Sequence, residues 1–239
     1  MKYPDLCVAA YEANMGIRDA GLIVLTWGNA SAADHDAGVF AIKPSGVAYS
    51  DLAPEKMVVV EIDTGHVVEG DLRPSSDTPT HLRLYQSFSS IGGVIHTHSI
   101  YATSFAQASR EIPCMGTTHA DHFDGPVPIA RQLMSQEISE RYEAATGDAI
   151  VERVESDPRG PLAVPAILLP QHGPFVWGAT VSEAVRNAVA LEAVAQMALN
   201  SLAICSAGSE ATLQHELLEK HQQRKHGPAA YYGQPDDAE

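Results

Sequence analysis

The run Ile91-Gly92-Gly93-Val94-Ile95-His96-Thr97-His98 opens apolar and closes polar. Its shortness and its β-branched residues predict a buried strand that carries its last side chains to one end of a sheet. Alternate side chains of a strand share a face, so His96 and His98 project together while Thr97 turns away. Just upstream, Thr78-Pro79 reads as an N-cap followed by a first-turn proline, opening a helix to about Phe88. Just downstream, a second helix begins at about Tyr101. Further out, 22–26, 39–42 and 57–62 read as short strands bounded by the turn residues of 34–38, 44–46 and 63–65. Residues 4–20 space Leu6, Ala9, Ala10, Ala13 and Ile17 along one helical side, with Gly21 placed to end the helix. On the C-terminal side, 164–169 and 175–177 read as strands flanking a His172-Gly173 turn. Thr180-x-x-Glu183 is a capping-box pattern before a long helix whose apolar side holds Val185, Ala188, Leu191, Ala195 and Leu202. A last helix lies near 210–224. Interleaved helices and strands with hairpin-length connections describe one α/β domain with an at least partly antiparallel sheet. It spans residues 1–234, and 235–239 form an acidic, disordered tail.

Composition narrows the partners. Asp and Glu number 30 against 15 Lys and Arg, a formal charge of −15, with 45% apolar and 19% charged residues. Such a chain has the makings of a sizeable core but no clustered cations, so a nucleic-acid partner is not expected. Cys7, Cys114 and Cys205 are far apart and odd in number, which predicts neither a disulfide framework nor a cysteine zinc knuckle. The first residues lack the apolar core of a signal peptide. The apolar windows are broken before the ~18 residues of a membrane span. The expected address is a reducing cytoplasm, with no membrane partner.

Eleven histidines call for a chemical reason. His96 and His98, on one strand face, are placed to converge on a metal ion; the same pattern also suits two hydrogen-bonded histidines at a strand end. His172 follows another apolar run and would emerge at a sheet end, as a third ligand or as a plain turn residue. Asp77 offers a carboxylate, or simply caps the helix after it. Together the four would make a divalent Lewis-acid site with room for substrate. Three loop clusters, Gly28-Asn29, Lys43-Pro44-Ser45-Gly46 and Ser75-Ser76, carry the hydroxyls and backbone N–H groups that bind anions. None is a P-loop or a dinucleotide fingerprint. Taken singly each is an ordinary turn; taken with a metal site they suggest a small phosphorylated substrate.

These residues, in this order, resemble the L-ribulose-5-phosphate 4-epimerase branch of the class II aldolase/adducin family. The motifs that carry the resemblance are Thr26-Trp27-Gly28-Asn29, Ile42-Lys43-Pro44-Ser45-Gly46-Val47, Pro74-Ser75-Ser76-Asp77-Thr78-Pro79-Thr80-His81 and His96-Thr97-His98-Ser99. Gly116-Thr117-Thr118-His119-Ala120-Asp121, His172-Gly173-Pro174-Phe175, and Lys225-His226-Gly227 with Tyr231-Tyr232-Gly233 complete the series. The resemblance implies a three-layer α/β/α sandwich around a largely antiparallel sheet. It implies Zn²⁺, with Mn²⁺ or Co²⁺ able to substitute, on Asp77, His96, His98 and His172. It implies that Gly28, Asn29, Lys43, Ser45, Gly46, Ser75 and Ser76 hold the substrate, mainly through phosphate. It makes Asp121 and Tyr232 the acid/base pair, with His221 as a helper, in a homotetramer whose C-terminal Tyr and His reach a neighbour's site. Pro170 and Gln171 depart from relatives that carry Ser and His there, which bears on contacts behind the third histidine.

The implied reaction interconverts L-ribulose 5-phosphate and D-xylulose 5-phosphate in pentose catabolism of the L-arabinose or L-ascorbate type. The proton on C4 is β to the ketone and not acidic, so the route is cleavage of C3–C4, rotation of the aldehyde, and re-formation of the bond. Charge developed in that cleavage needs an electron sink. A lysine Schiff base is the alternative sink, and no lysine lies in an obviously apolar segment. Proton exchange on both faces of C4 needs two groups. The rival reading is a class II sugar-phosphate aldolase of the L-fuculose-phosphate type, which would release the aldehyde; in those aldolases Glu usually stands where Asp77 stands. An adducin-like interaction module is a more distant rival, marked by lost metal ligands.

Overall fold

The computed structural model describes residues 1–205, 212–228 and 230. Its centre is a seven-stranded sheet in the order β4-β3-β2-β1-β5-β7-β6. The strands are β1 (Gly28–Asp34), β2 (Val39–Ile42), β3 (Val58–Glu61), β4 (Val67–Glu69), β5 (Gly93–Thr97), β6 (Ala166–Leu168) and β7 (Pro174–Gly178). Every pairing between them is antiparallel. The helices are α1 (Pro4–Asp19), α2 (Thr78–Ser87), α3 (Ile100–Gln107), α4 (Thr117–Ala120), α5 (Ser135–Glu155), α6 (Val181–Ile204) and α7 (His215–His226).

Strand alternation sorts the core into two sides. Ala30, Ile95, Leu168 and Val176 face α1, α3 and α6, where Ile17, Phe105 and Leu191 meet them. Phe40, Val94, Phe175 and Trp177 point the other way, onto Leu84 and Tyr85 of α2 and Ile150 of α5. Two helical layers thus cover the sheet, the three-layer α/β/α arrangement implied by the family resemblance.

Several local expectations change. Residues 22–26 are not a strand: Val24 and Trp27 form one bridge across a tight turn with Leu25 at φ 56°. The strand starts instead at Gly28, through the small-residue run GNASAAD. The N-cap of α2 is Asp77, with Pro79 in the first turn, one position earlier than the Thr78-Pro79 reading. Thr180 caps α6 by accepting from Glu183 N, but the Glu183 carboxylate accepts from Ala179 N, so the box is shifted by one residue. The 24-residue α6 is long and apolar enough to cross a membrane, contrary to the expectation that no segment is. Its inner face nevertheless lies in the core through Ala184, Ala188, Leu191, Val194 and Ala195. The 21-residue α5 and strand β4 have no counterpart in the sequence reading. The tail 235–239 and Tyr232 lie outside the described residues.

Candidate metal centre

β5 is a central strand, and His96 near its end is 2% exposed. Its Nδ1–H donates to Pro174 O on β7 at 2.9 Å, which leaves Nε2 bare. His98 follows the strand, with its Nε2 3.1 Å from Nε2 of His96. The chain then enters α3, whose first amides, at Tyr101 and Ala102, donate to the Glu192 carboxylate of α6. That contact caps α3 and pins the end of the strand from which His98 projects. His172 comes from the turn between β6 and β7. Gly173 beside it lies where a Cβ would sit 2.7 Å from Thr97 O, so only glycine lets this turn press against β5.

One ring nitrogen from each of His96, His98 and His172 lies within 4.8 Å of the others. Nitrogens around a tetrahedral zinc ion stand about 3.3 Å apart, close to the His96–His98 spacing. Burial lowers the pKa of His96 and of His98, and it pushes His172 down to about 4, with the neighbouring imidazoles adding to the effect there. The three rings are therefore neutral near pH 7, the state in which imidazole is a ligand.

Asp77 lines the same pocket. Although it is the N-cap of α2, its side chain makes no cap bond, so the carboxylate is not spent on its own helix. Oδ2 accepts from Asn29 Nδ2 at 2.7 Å. Burial works to raise its pKa, but His96, His81 and the Asn29 hydrogen bond outweigh that and hold it below the ordinary carboxylate value. Asn29 Oδ1 and His81 Nε2 are buried without a partner among the described residues. Three neutral imidazoles, with the ionised Asp77 carboxylate and Asn29 bordering the same pocket, are a donor set that fits a divalent ion and an oxygen-rich ligand, although Asp77 stands outside the 4.8 Å cluster of the three histidines and His81 does not line the pocket.

The pocket has a volume of about 310 Å³. All three anion-type loops open into it. Ser45 N donates to Arg73 O and Ser75 N to Lys43 O, a bridge that ties the Lys43–Gly46 turn to Ser75-Ser76. Gly28 stands at φ 118°, beside His96 O. Gly28, Asn29, Lys43, Ser45, Gly46, Ser75 and Ser76 thus all border the pocket that holds the histidines. Lys43 is buried, although no lysine reads as lying in an obviously apolar segment of the sequence. Its ammonium is held by Val47 O at 2.8 Å and Pro44 O at 3.3 Å, and burial lowers its pKa.

The family described as Class II Aldolase and Adducin N-terminal domain matches residues 8–199. The chain belongs to this family. Curated relatives include L-ribulose-5-phosphate 4-epimerase UlaF of Salmonella paratyphi C (strain RKS4594), 50% identical over 94% of this chain and 96% of the relative. The same enzyme of Salmonella choleraesuis (strain SC-B67) matches to the same extent. Among solved structures, an L-fuculose 1-phosphate aldolase superposes with a TM-score of 0.76 at 24% identity, covering 92% of this chain and 95% of that one. An L-fuculose 1-phosphate aldolase from Glaciozyma antarctica PI12 gives 0.71 at 18%, covering 93% and 82%. These likenesses show the class II aldolase fold.

In this class II aldolase-type chain, Asp121 and His221 group together, but not with the metal candidates. Asp121 follows α4 and accepts from His221 Nδ1 at 2.8 Å and from Arg224 Nη2 at 2.8 Å. Burial works to raise its pKa, yet the Arg224 and His221 hydrogen bonds hold it below the ordinary value. Neither Asp121 nor His221 lines the histidine pocket. Tyr142 and Glu143 do line it and were not foreseen. They sit in α5, where the signal was available: Glu137 caps the helix start at Met134 N, and Ala145, Ala149, Ile150 and Val154 recur on one side.

Proposed function

We propose that this chain is an isomerase, a zinc-dependent L-ribulose-5-phosphate 4-epimerase that interconverts L-ribulose 5-phosphate and D-xylulose 5-phosphate. The observation that carries the reading is the convergence, in one pocket, of three neutral histidines and Asp77 with the stitched Ser45-Gly46 and Ser75-Ser76 loops. The relatives named as this epimerase at 50% identity support it. Bound at His96, His98, His172 and Asp77, Zn²⁺, or Mn²⁺ or Co²⁺ in its place, supplies a Lewis acid for the charge that develops when C3–C4 breaks.

The chain's own groups do the rest. The hydroxyls of Ser45, Ser75 and Ser76 and the backbone N–H groups of Gly46 and Ser76 hold the phosphate, so that the glycolaldehyde phosphate half turns over in place instead of leaving. Asn29 Oδ1, buried and unpaired, accepts from a substrate hydroxyl. Asp121 and Tyr232 exchange the C4 hydroxyl proton on opposite faces, with His221 assisting. Because Asp121 and His221 stand apart from their own chain's pocket, they serve the pocket of a neighbouring copy in a homotetramer. The enzyme works in the cytoplasm, and its catalytic domain runs to residue 234.

Product analysis of the metal-loaded protein with L-ribulose 5-phosphate tests the reading. D-Xylulose 5-phosphate, lost on chelation and restored by Zn²⁺ or Mn²⁺, is the expected result. Dihydroxyacetone and glycolaldehyde phosphate with little epimer would make the chain an aldolase instead.

A further inference from the structure

Helix α5 is broken at one residue: Arg141 lies at φ −155°, ψ 46° between helical neighbours. The break is anchored on both sides. Arg141 bonds Asp148 at 2.5 Å and approaches Glu137 at 3.6 Å. Asp148 also takes Arg83 of α2, and Glu137 takes Arg131. The next two residues, Tyr142 and Glu143, border the histidine pocket. Tyr142 Oη comes to 3.1 Å from Nδ1 of His172, with the two rings tilted by 30°.

From this geometry we infer that Tyr142 is a positioning residue: its hydroxyl oxygen accepts from Nδ1–H of His172 and so presents the bare Nε2 to the metal centre. The role rests on the metal centre proposed above. A neutral imidazole carries one N–H, and a tyrosine hydroxyl can donate or accept. Were Tyr142 to donate, Nε2 of His172 would carry the hydrogen and could not ligate. His96 shows the same solution, spending Nδ1–H on Pro174 O and leaving Nε2 bare. The partner that fixes a ligand's tautomer is worth roughly 10- to 100-fold in metal affinity. The ion-paired break in α5 is the device that turns the tyrosine toward the site. Tyr142 and His172 also border an adjoining cavity of about 280 Å³ lined by Leu133, Ile138, Leu169 and Gln171.

Two measurements test this. Long-range ¹⁵N–¹H NMR of the histidine rings in the metal-free full chain should show His172 as the Nδ1–H tautomer. Tyr142→Phe should weaken Zn²⁺ binding by about 10-fold or more in a chelator competition, with the metal-free Tm within about 2 °C of wild type. An Nε2–H tautomer in the wild type overturns the proposal, and it does so even if the variant fails to fold. Unchanged Zn²⁺ affinity in a folded Tyr142→Phe also overturns it and leaves the tyrosine as a cavity wall. Failure of the wild type to take up Zn²⁺ overturns the metal centre itself, and this role with it.

Discussion

The side-chain amide of Asn29 donates to the Asp77 carboxylate at 2.7 Å, and Asn29 sits directly across from His96 in the β1–β5 register. One strand pairing therefore fixes the carboxylate and an imidazole relative to each other, although they are distant in sequence. Asp77 arrives from the start of α2, and no bond to its own helix competes for it. The arrangement resembles a ligand held by an outer partner: the amide orients Oδ2 and leaves Oδ1 for an ion.

Asn29→Ala should therefore weaken Zn²⁺ binding by about 10-fold or more, the usual cost of losing such a partner. Competition against a chromophoric chelator reads it directly. Wild-type affinity in the variant would mean that the helix start alone places Asp77.

Gly28, one residue earlier, occupies φ 118°, and a Cβ there would lie 2.8 Å from both His96 O and Ile23 Cδ1. Gly28→Ala combines an unfavourable backbone region with a clash against β5. We expect a loss of about 2 kcal/mol or more in urea unfolding, with reduced metal uptake because His96 must shift. A variant as stable as wild type would show that the β1 start can move without cost.

The apolar runs of β2, β3, β5 and β7 were legible because each is short, β-branched or aromatic, and bounded by turn residues. β1 was not, because GNASAAD has no large apolar residue; its burial comes from lying between two other strands, which only tertiary structure reveals. The apolar 22–26 segment was misread for the opposite reason, its Leu25 being 76% exposed on a turn. Period-2 alternation alone puts His96 and His98 on one face, without choosing between a metal pair and a hydrogen-bonded pair. Bringing His172 and Asp77 to them required knowing that β7 pairs with β5 and that Asn29 reaches across from β1. The spacing of Ala145, Ala149, Ile150 and Val154 marks α5 as a helix, but nothing in that pattern singles out Tyr142 and Glu143, which follow the break at Arg141 and border the pocket.

Acid should destabilise the metal-free protein in a predictable window. Burial pushes His81 down to about 3 and His119 to about 4, from 6.5 in the unfolded chain. Between those values the unfolded state binds protons that the folded state refuses, so stability is fully present above pH 6.5 and falls as pH falls toward 4. Each group contributes a slope of about 1.4 kcal/mol per pH unit in that window. Urea midpoints taken from pH 7.5 to 5 give the slope. His119→Gln, which removes an imidazole whose only hydrogen-bond partner among the described residues is Gly125 O, should shallow it by about one proton. An unchanged slope would mean that His119 is not held neutral by the fold.

Asp121 and His98 should complement each other across copies of the chain. His98→Asn removes a ring nitrogen from the cluster and is expected to abolish both metal and epimerisation. Asp121→Asn leaves the cluster whole, since Asp121 lies outside that pocket and is bonded to His221 and Arg224. It should keep metal and lose turnover by about 10²-fold or more. If Asp121 serves its own chain, mixing the two inactive variants can restore nothing. If it serves a neighbour, an intact site forms wherever an Asp121→Asn chain contributes the metal half and a His98→Asn chain contributes the carboxylate. In a randomly assembled equimolar mixture each condition holds half the time, so roughly a quarter of wild-type activity should appear. Unfolding and refolding the variants together, against each refolded alone, measures it. Recovery near that level would place Asp121 across a subunit boundary, and none would return it to a structural ion pair at the end of α4.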